Sequence, residues 1–381
     1  MSARQVAQTA GATTSLINYY FGSFEQLLLS TQSQVIAATR QWCDRQSAAV
    51  AGLSGLDPDA SGHVIAALID DLCTNHRPLA FAWAECQMLS ARHPAWLPAA
   101  SEWRLVWTEF WQKVAPALGL ADNAEVTRMF FNGETSLHRI RWQAPLDRAA
   151  LSETCVSWMR LLHTGRTGPM PLRDHARAQA IETPAPALLE GTIERTIADA
   201  AADLIGQAGA GAITHRAVAR ASGANLGSVT HHFPTSNALM SAAFERIYAR
   251  VTQEGAMDIQ EVSHMSGQAF VESMVYYSLA SDRSGMLAID ELTAAAGRDA
   301  GLAAFGGILR YTRGKSSLRL LSRLTSDPAS DQGPLGQGEA ALFSAWIQGM
   351  GRDTLSVGPN ERPRAVEPCV RRMLDIIGVR D

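Results

Sequence analysis

The chain repeats itself, which restricts it to folds that can be assembled twice from one unit. Near the start runs Val6-Ala7-Gln8-Thr9-Ala10-Gly11-Ala12, continuing through Leu16-Ile17-Asn18-Tyr19-Tyr20-Phe21 to Glu25-Gln26-Leu27-Leu28. Later runs Val218-Ala219-Arg220-Ala221-Ser222-Gly223-Ala224, continuing through Ser228-Val229-Thr230-His231-His232-Phe233 to Asn237-Ala238-Leu239-Met240. Gly11 and Gly223 stand 212 positions apart, as do Phe21 and Phe233, with no gap between them. Near the ends of the halves, Cys155-Val156-Ser157-Trp158-Met159 matches Cys369-Val370-Arg371-Arg372-Met373 at an offset of 214. A near-constant offset argues for duplication of a whole unit.

Both units read as helical. Ile193, Ile197, Ala201, Leu204 and Ile205 share one face at helical spacing. Gly206, Gly209 and Gly211 are expected to stop that helix. No long alternating β-branched stretch occurs, so the fold class is all-α. Between the units, the stretch from Gly165 to Pro186 holds Pro169, Pro171, Pro184 and Pro186 without hydrophobic periodicity. It reads as a linker at residues 166–187. A second segment, Ser326 to Gly338, is rich in Gly, Pro, Ser and Asp and reads as a mobile loop.

The 381 residues are 46% hydrophobic and 18% charged, a folded composition with a net charge of −4. No global basic field draws the chain to nucleic acid, so any such binding has to come from local patches. The five cysteines, Cys43, Cys73, Cys86, Cys155 and Cys369, have no zinc or redox spacing. Reduced, buried thiols in a cytoplasmic protein are expected. No signal peptide opens the sequence, and no apolar run is long enough to span a bilayer.

The repeated segment has the mechanics of a helix-turn-helix. Thr214 can cap a helix running to about Ala221, Gly223 supplies a left-handed turn, and Asn225 caps the next helix, which ends before Phe233. Val218, Ala219 and Val229 are expected to face inward. A third helix follows from Ser236 to about Arg250, with Leu239, Ala243, Phe244 and Ile247 on its apolar side.

These residues resemble the DNA-binding region of the TetR repressor family over about Thr192 to Arg250. The pattern there is a small residue, Gly, a short recognition helix, an aromatic-His-Phe run and a longer helix opening with Lys-Glu. The first unit matches from Val6 to Leu29 and has no counterpart of Glu194 to Gln207, so it reads as a truncated copy. That lack is expected to expose Val6, Ile17 and Phe21. Two departures stand out. The family's usual lysine at the start of the fourth helix is Phe24 in one unit and Ser236 in the other. Its frequent tyrosine in the recognition helix is Asn18 and Thr230.

The resemblance implies two tandem TetR-like repeats. They comprise a truncated helix-turn-helix at 1–29, a helical effector or dimerisation domain at 30–165, the linker, a second helix-turn-helix at 188–240 and a second helical domain at 241–381. It implies double-stranded DNA as partner, with each recognition helix in the major groove. In the first unit Thr13, Thr14, Ser15 and Asn18 would face bases, with Tyr19 and Tyr20 against phosphates. In the second, Asn225, Leu226, Ser228 and Thr230 would face bases, and Arg216, His231 and His232 would reach the backbone. The two sets differ, so an asymmetric operator read by an internal pseudo-dimer is expected. Pairing of whole chains stays open.

The resemblance also implies a small-molecule effector and a four-helix interface from the last helices, about Leu151 to His163 and Val366 to Ile377. Eight of nine tryptophans lie in the first unit. Trp103, Trp107 and Trp111 form a stripe, with Trp83, Met88, Phe110 and Phe131 near it. They would line a pocket for a flat apolar or aromatic ligand, or else build a core. Met274, Tyr276 and Tyr277 hint at a second pocket. His138, Arg139 and Arg141 read as a solvated basic cluster. Gly314-Lys315-Ser316 lacks the first glycine of a phosphate loop, Leu309 standing in its place. No hydrolase or metalloprotease motif occurs, and neither cofactor nor metal is implied. The rival reading is an interaction protein that has lost DNA binding and modulates another regulator.

Overall fold

The computed structural model describes residues 3–53, 55–182, 191–253, 265–280, 283–299, 302–324 and 335–379. These residues form α-helices and no strand. The first half contains α1 (Ala3–Thr9), α2 (Thr14–Phe21), α3 (Phe24–Ala51), α4 (Pro58–Thr74), α5 (Arg77–Arg92), α6 (Leu97–Val114), α7 (Ala124–His138), α8 (Ala144–Thr164) and α9 (Pro171–Ile181). The second contains α10 (Ile193–Ala208), α11 (His215–Ser222), α12 (Leu226–His232), α13 (Ser236–Gln253), α14 (Gly267–Leu279), α15 (Ser284–Arg298), α16 (Ala303–Tyr311), α17 (Lys315–Leu324), α18 (Gln337–Asp353) and α19 (Arg362–Ile376). Local chemistry sets many of the starts. Ser23 accepts from the Gln26 amide at 3.1 Å, and Asp57 accepts from the Ala60 amide at 2.7 Å. Both satisfy N–H groups that a helix leaves unpaired in its first turn.

At the centre α7 packs along α18, flanked by α8 and α19, and α4 and α14 cover these from outside. Glycine permits the central crossing. A Cβ on Gly133 would lie 2.0 Å from the Ala345 carbonyl oxygen, and one on Gly349 would lie 1.8 Å from that of Met129. Arg128 pins the same crossing, its Nη1 and Nη2 donating to Asp353 at 2.5 and 2.8 Å. Further out, Arg92 on α5 pairs with Glu291 on α15 at 2.6 Å, and Arg298 on α15 pairs with Glu85 on α5.

Two large hydrophobic clusters, and a small one of Ala150, Ala176 and Tyr311, hold the described residues together. One joins α3–α8 to α14, α17, α18 and α19. The other packs α10–α13 onto α15 and α16 and takes in Ile140 from the first half. The expected third helix runs as read, with Leu239, Ala243 and Phe244 fully buried and Ile247 nearly so.

Five sequence expectations are corrected. The stretch 166–187 is no plain linker, because α9 lies within it and packs on α8 and α16. Pro171 suits a first helical position, Glu153 accepts from the Leu172 and Arg173 amides, and the small side chains of Ala176 and Ala180 let the helix lie close. Residues 183–190 lie outside the described residues. Of Ser326 to Gly338, residues 326–334 also lie outside, while Gln337 and Gly338 open α18. Gly206 does not stop α10; it sits inside the helix because a Cβ there would meet the Ser284 carbonyl oxygen at 2.7 Å. Gly209, with φ +84°, ends it. Ile193, placed on the apolar face by its spacing, is 41% exposed at the first turn.

The fifth correction concerns His138 and Arg139, which are buried rather than solvated. His138 Nε2 lies 2.9 Å from Asp70 Oδ1, and its Nδ1 faces Arg310 Nη2 at 3.0 Å. Arg310 also donates to the Ile140 carbonyl at 2.7 Å, joining α16 to the end of α7. Arg139 donates to the Ala80 carbonyl and the Ser136 hydroxyl and lies over the Phe81 ring. A run of cations reads as a wet surface unless their acceptors are visible, and apart from Ser136 these acceptors come from far along the chain.

Candidate nucleic-acid interface

Helices α11 and α12 meet through Gly223, whose φ of +72° an L-residue would resist. Thr214 Oγ1 accepts from the Ala217 amide at 3.1 Å, and Asn225 Oδ1 accepts from the Ser228 amide at 2.7 Å. Val218 and Val229 are fully buried between them, over Ile197, Ala201 and Ile205 of α10. His215 Nε2 lies 2.7 Å from the Phe233 carbonyl, tying the start of α11 to the end of α12. The result is a rigid pair of short helices with a polar outer face.

On that face Arg216, Asn225, Leu226, Thr230 and His231 are exposed, and Ser228 is half-buried. Some of these groups have internal duties. The Asn225 oxygen spends one lone pair on the cap, leaving its second lone pair and the amide donors for a base. Thr230 donates its hydroxyl proton back to the Leu226 and Gly227 carbonyls, each at 3.0 Å. His232, expected at a phosphate, is half-buried against α10, with Nδ1 2.9 Å from Glu194 Oε1. Its position at the C-terminal end of α12 brings it over the first turn of α10, where it braces the recognition helix. Sequence reasoning passed over Glu194 as its partner, and Arg220, which is exposed on α11 beside Arg216. A signal for the face was present: no Asp or Glu occurs between residues 204 and 244. The local charge is therefore positive in a chain whose net charge is −4.

The first unit has the same turn, with Gly11 at φ +62°, and Thr13, Thr14, Ser15 and Asn18 are exposed on its helix. Its cap differs. Thr13 makes no cap bond and shares a hydrogen with the Ser15 hydroxyl at 2.7 Å. Tyr19 and Tyr20 are 79% and 71% exposed, edge to face with centroids 5.0 Å apart. The exposure expected of Val6, Ile17 and Phe21 holds only for Phe21, which is 40% exposed where Phe233 is 7%. Ile17 is buried and Val6 half-buried, because α1 and α3 both still pack on α2.

The aromatic candidates for a ligand site form core instead. Trp83, Met88, Trp103, Trp107, Phe110, Trp111 and Phe131 are all buried. Centroid distances of 4.6 Å for Trp83–Trp107 and 5.3 Å for Trp107–Phe131 mean that the rings fill the space a ligand would need. Met274 packs against that core, and Tyr277 is 63% exposed on α14. A cavity of about 310 Å³ opens in the second half, between α13, α15, α16, α17 and α18. Tyr248, Ile289, Ile308, Leu320 and Ile347 are among its walls. No clear periodic signal marks these five, since each comes from a different helix.

Residues 197–243, from within α10 to within α13, match the family model described as bacterial regulatory proteins, tetR family. No curated protein matches the chain. The match covers the helix-turn-helix just described and makes this segment similar to the DNA-binding region of that family. All five cysteines are buried and unpaired, and no described helix is long and apolar enough to cross a membrane.

Proposed function

We propose that the chain regulates transcription as a one-chain pseudo-dimer, reading an asymmetric operator with α2 and α12 as unlike recognition helices. One observation carries this reading: contacts between the halves come in reciprocal pairs. Arg92–Glu291 and Arg298–Glu85 exchange under an offset of 206. Gly133 against Ala345 and Gly349 against Met129 exchange under an offset of 216. Reciprocity of this kind is what a two-fold axis imposes on an isologous interface. The duplicated organisation, with domains at 1–29, 30–165, 188–240 and 241–381, fits the same axis.

Repression released by a small effector is the mode we propose, by analogy with the family. Ile289 and Leu309 support coupling, since both belong to the cluster that holds α10–α13 and both line the cavity. Helix α13 runs from the recognition helix to that cavity, and its Tyr248 hydroxyl meets Thr312 Oγ1 at 3.1 Å. An effector bound there would touch the element that positions α12.

The test is retention of fragmented genomic DNA by the purified chain at two salt concentrations, with the mass of the complex measured. One enriched site with two unlike halves, bound by one chain, is expected. A palindrome bound by two chains through α12 alone would refute the pseudo-dimer. No enrichment from a folded chain would refute DNA binding and favour the interaction protein.

A further inference from the structure

The cavity of the second half has a lopsided lining. Its floor is apolar: Ile289 and Ile308 are almost fully buried, and Leu320 and Ile347 are half-buried. Its rim carries Arg313, Lys315 and Arg319 and no carboxylate. None of these three cations takes part in an ion pair among the described residues. Arg313 Nε donates to the Leu309 carbonyl at 2.8 Å, but its Nη1 is buried with no hydrogen-bond partner. Two buried carboxylates act on Arg313 from the interior, Asp290, already held by Arg352 at 2.9 Å, and Glu134, and neither forms an ion pair with it.

The backbone fixes where the charges sit. Gly314 has φ +100°, and a Cβ there would lie 2.8 Å from the Ala340 carbonyl carbon. The kink between α16 and α17 is therefore pressed against α18, with Arg313 and Lys315 on either side of it. Lys315, Ser316 and Ser317 in the cavity wall form the first turn of α17, the positive end of its dipole. Burial, with the charge of Arg352 added, pushes the Arg313 guanidinium down to about 9. Asp290 and Glu134 pull the other way without outweighing burial.

We propose that this cavity binds a small amphipathic anion, a carboxylate or phosphate monoester on a short apolar tail, with Arg313 and Lys315 on the head group. The proposal rests on the effector reading above and gives that site its ligand class. At about 310 Å³ the cavity is at the low end of ligand sites, roughly 300–1,000 Å³, which favours a short tail over a nucleotide-sized ligand. In the first half α3, α5, α6 and α7 are packed with Trp42, Trp83, Trp107 and Phe131, and the smaller pocket of about 190 Å³ between α3 and α6 sets Asp44 and Glu109 beside Arg40 and Lys113. One ligand per chain is expected.

The experiment is calorimetric titration of the full chain with octanoate, octyl phosphate, octanol and octylammonium at constant ionic strength. Both anions are expected to bind at one site, about 10- to 100-fold more tightly than octanol, the range set by one charge-assisted hydrogen bond. Octylammonium is expected to be weakest. Arg313→Gln should remove the preference for anions while leaving octanol binding unchanged, and the exposed Lys315→Gln should reduce it in part. Circular dichroism checks that both variants fold, and the head-group comparison on the unaltered chain stands without them. A preference for octyl phosphate over octanoate would mark a phosphate site, and the reverse a carboxylate site; either supports the proposal. Equal binding of octanol, no binding of any probe, or unchanged selectivity in both variants would overturn it. DNA retention is measured in parallel. Anion binding without any effect on DNA would leave the site standing and remove the effector reading. Intact DNA retention with no anion binding would do the opposite.

Discussion

Replacing Gly349 by Ala separates a packed crossing from an ordinary helical glycine. In a solvent-facing helix interior, Gly→Ala stabilises by about 1 kcal/mol, through lower backbone entropy in the unfolded chain. At Gly349 the new Cβ would lie 1.8 Å from the Met129 carbonyl oxygen and 2.8 Å from the Gly133 amide nitrogen. Comfortable contact between heavy atoms needs roughly 3.5–4.0 Å, so α7 and α18 would have to part. Backbone cannot swing aside as a side chain can, and overpacking of this type costs about 1–3 kcal/mol. The sign is therefore reversed, and Gly349→Ala is expected to lose about 1–3 kcal/mol net in urea unfolding followed by far-ultraviolet dichroism. Gly133→Ala, facing Ala345 at 2.0 Å, should do the same. Gly285→Ala is the control: it is exposed on α15 with nothing within 4 Å of the added carbon, and it should be neutral or stabilising. If Gly349→Ala and Gly285→Ala shift the midpoint in the same direction, α7 and α18 do not cross as described.

Arg128→Leu should cost about 3–5 kcal/mol, because Asp353 would keep its burial and lose its main partner; Arg128→Leu combined with Asp353→Leu should recover much of that in a double-mutant cycle. Asn225→Ala should remove about 1 kcal/mol of capping from α12 and weaken DNA retention, while Asn225→Ser, which can still cap, should keep the fold and report the base contact alone. Burial holds His138 neutral, its pKa below the ordinary 6.5, so the unfolded chain binds the extra proton and stability should fall as pH drops below about 6.5. Asp70, held down to about 2 chiefly by its bond to His138, adds stability above pH 3.8 that is lost between there and about 2; a pH–stability curve flat from 7 to 5 would refute the assignment to His138.

The second helix-turn-helix was legible because each of its parts is fixed by neighbours in sequence. Thr214 and Asn225 cap within three residues, Gly223 turns where a side chain could not, and Val218 and Val229 follow helical spacing. The same locality made α13 readable. What stayed hidden depends on partners far along the chain. Arg310 and Asp70 decide that His138 is buried, and Glu153 decides that a proline-rich stretch contains a helix. The tryptophan stripe posed a question that spacing cannot answer, since a pocket wall and a packed core use the same side chains. Five separate helices enclose the cavity, so its charge imbalance emerges only when they are brought together.

The crossing of α7 and α18 lies within one chain, and that changes how the paired state responds to abundance. Two separate subunits come apart on dilution, so the fraction ready to grip an operator falls steeply once their number drops below the dissociation constant. In the one-chain pseudo-dimer proposed above the partner half is tethered, at an effective concentration set by the connecting chain and of millimolar order for short linkers. Dilution cannot separate the halves. Occupancy of a target should therefore rise with the first power of copy number, without the threshold that an assembling pair would impose.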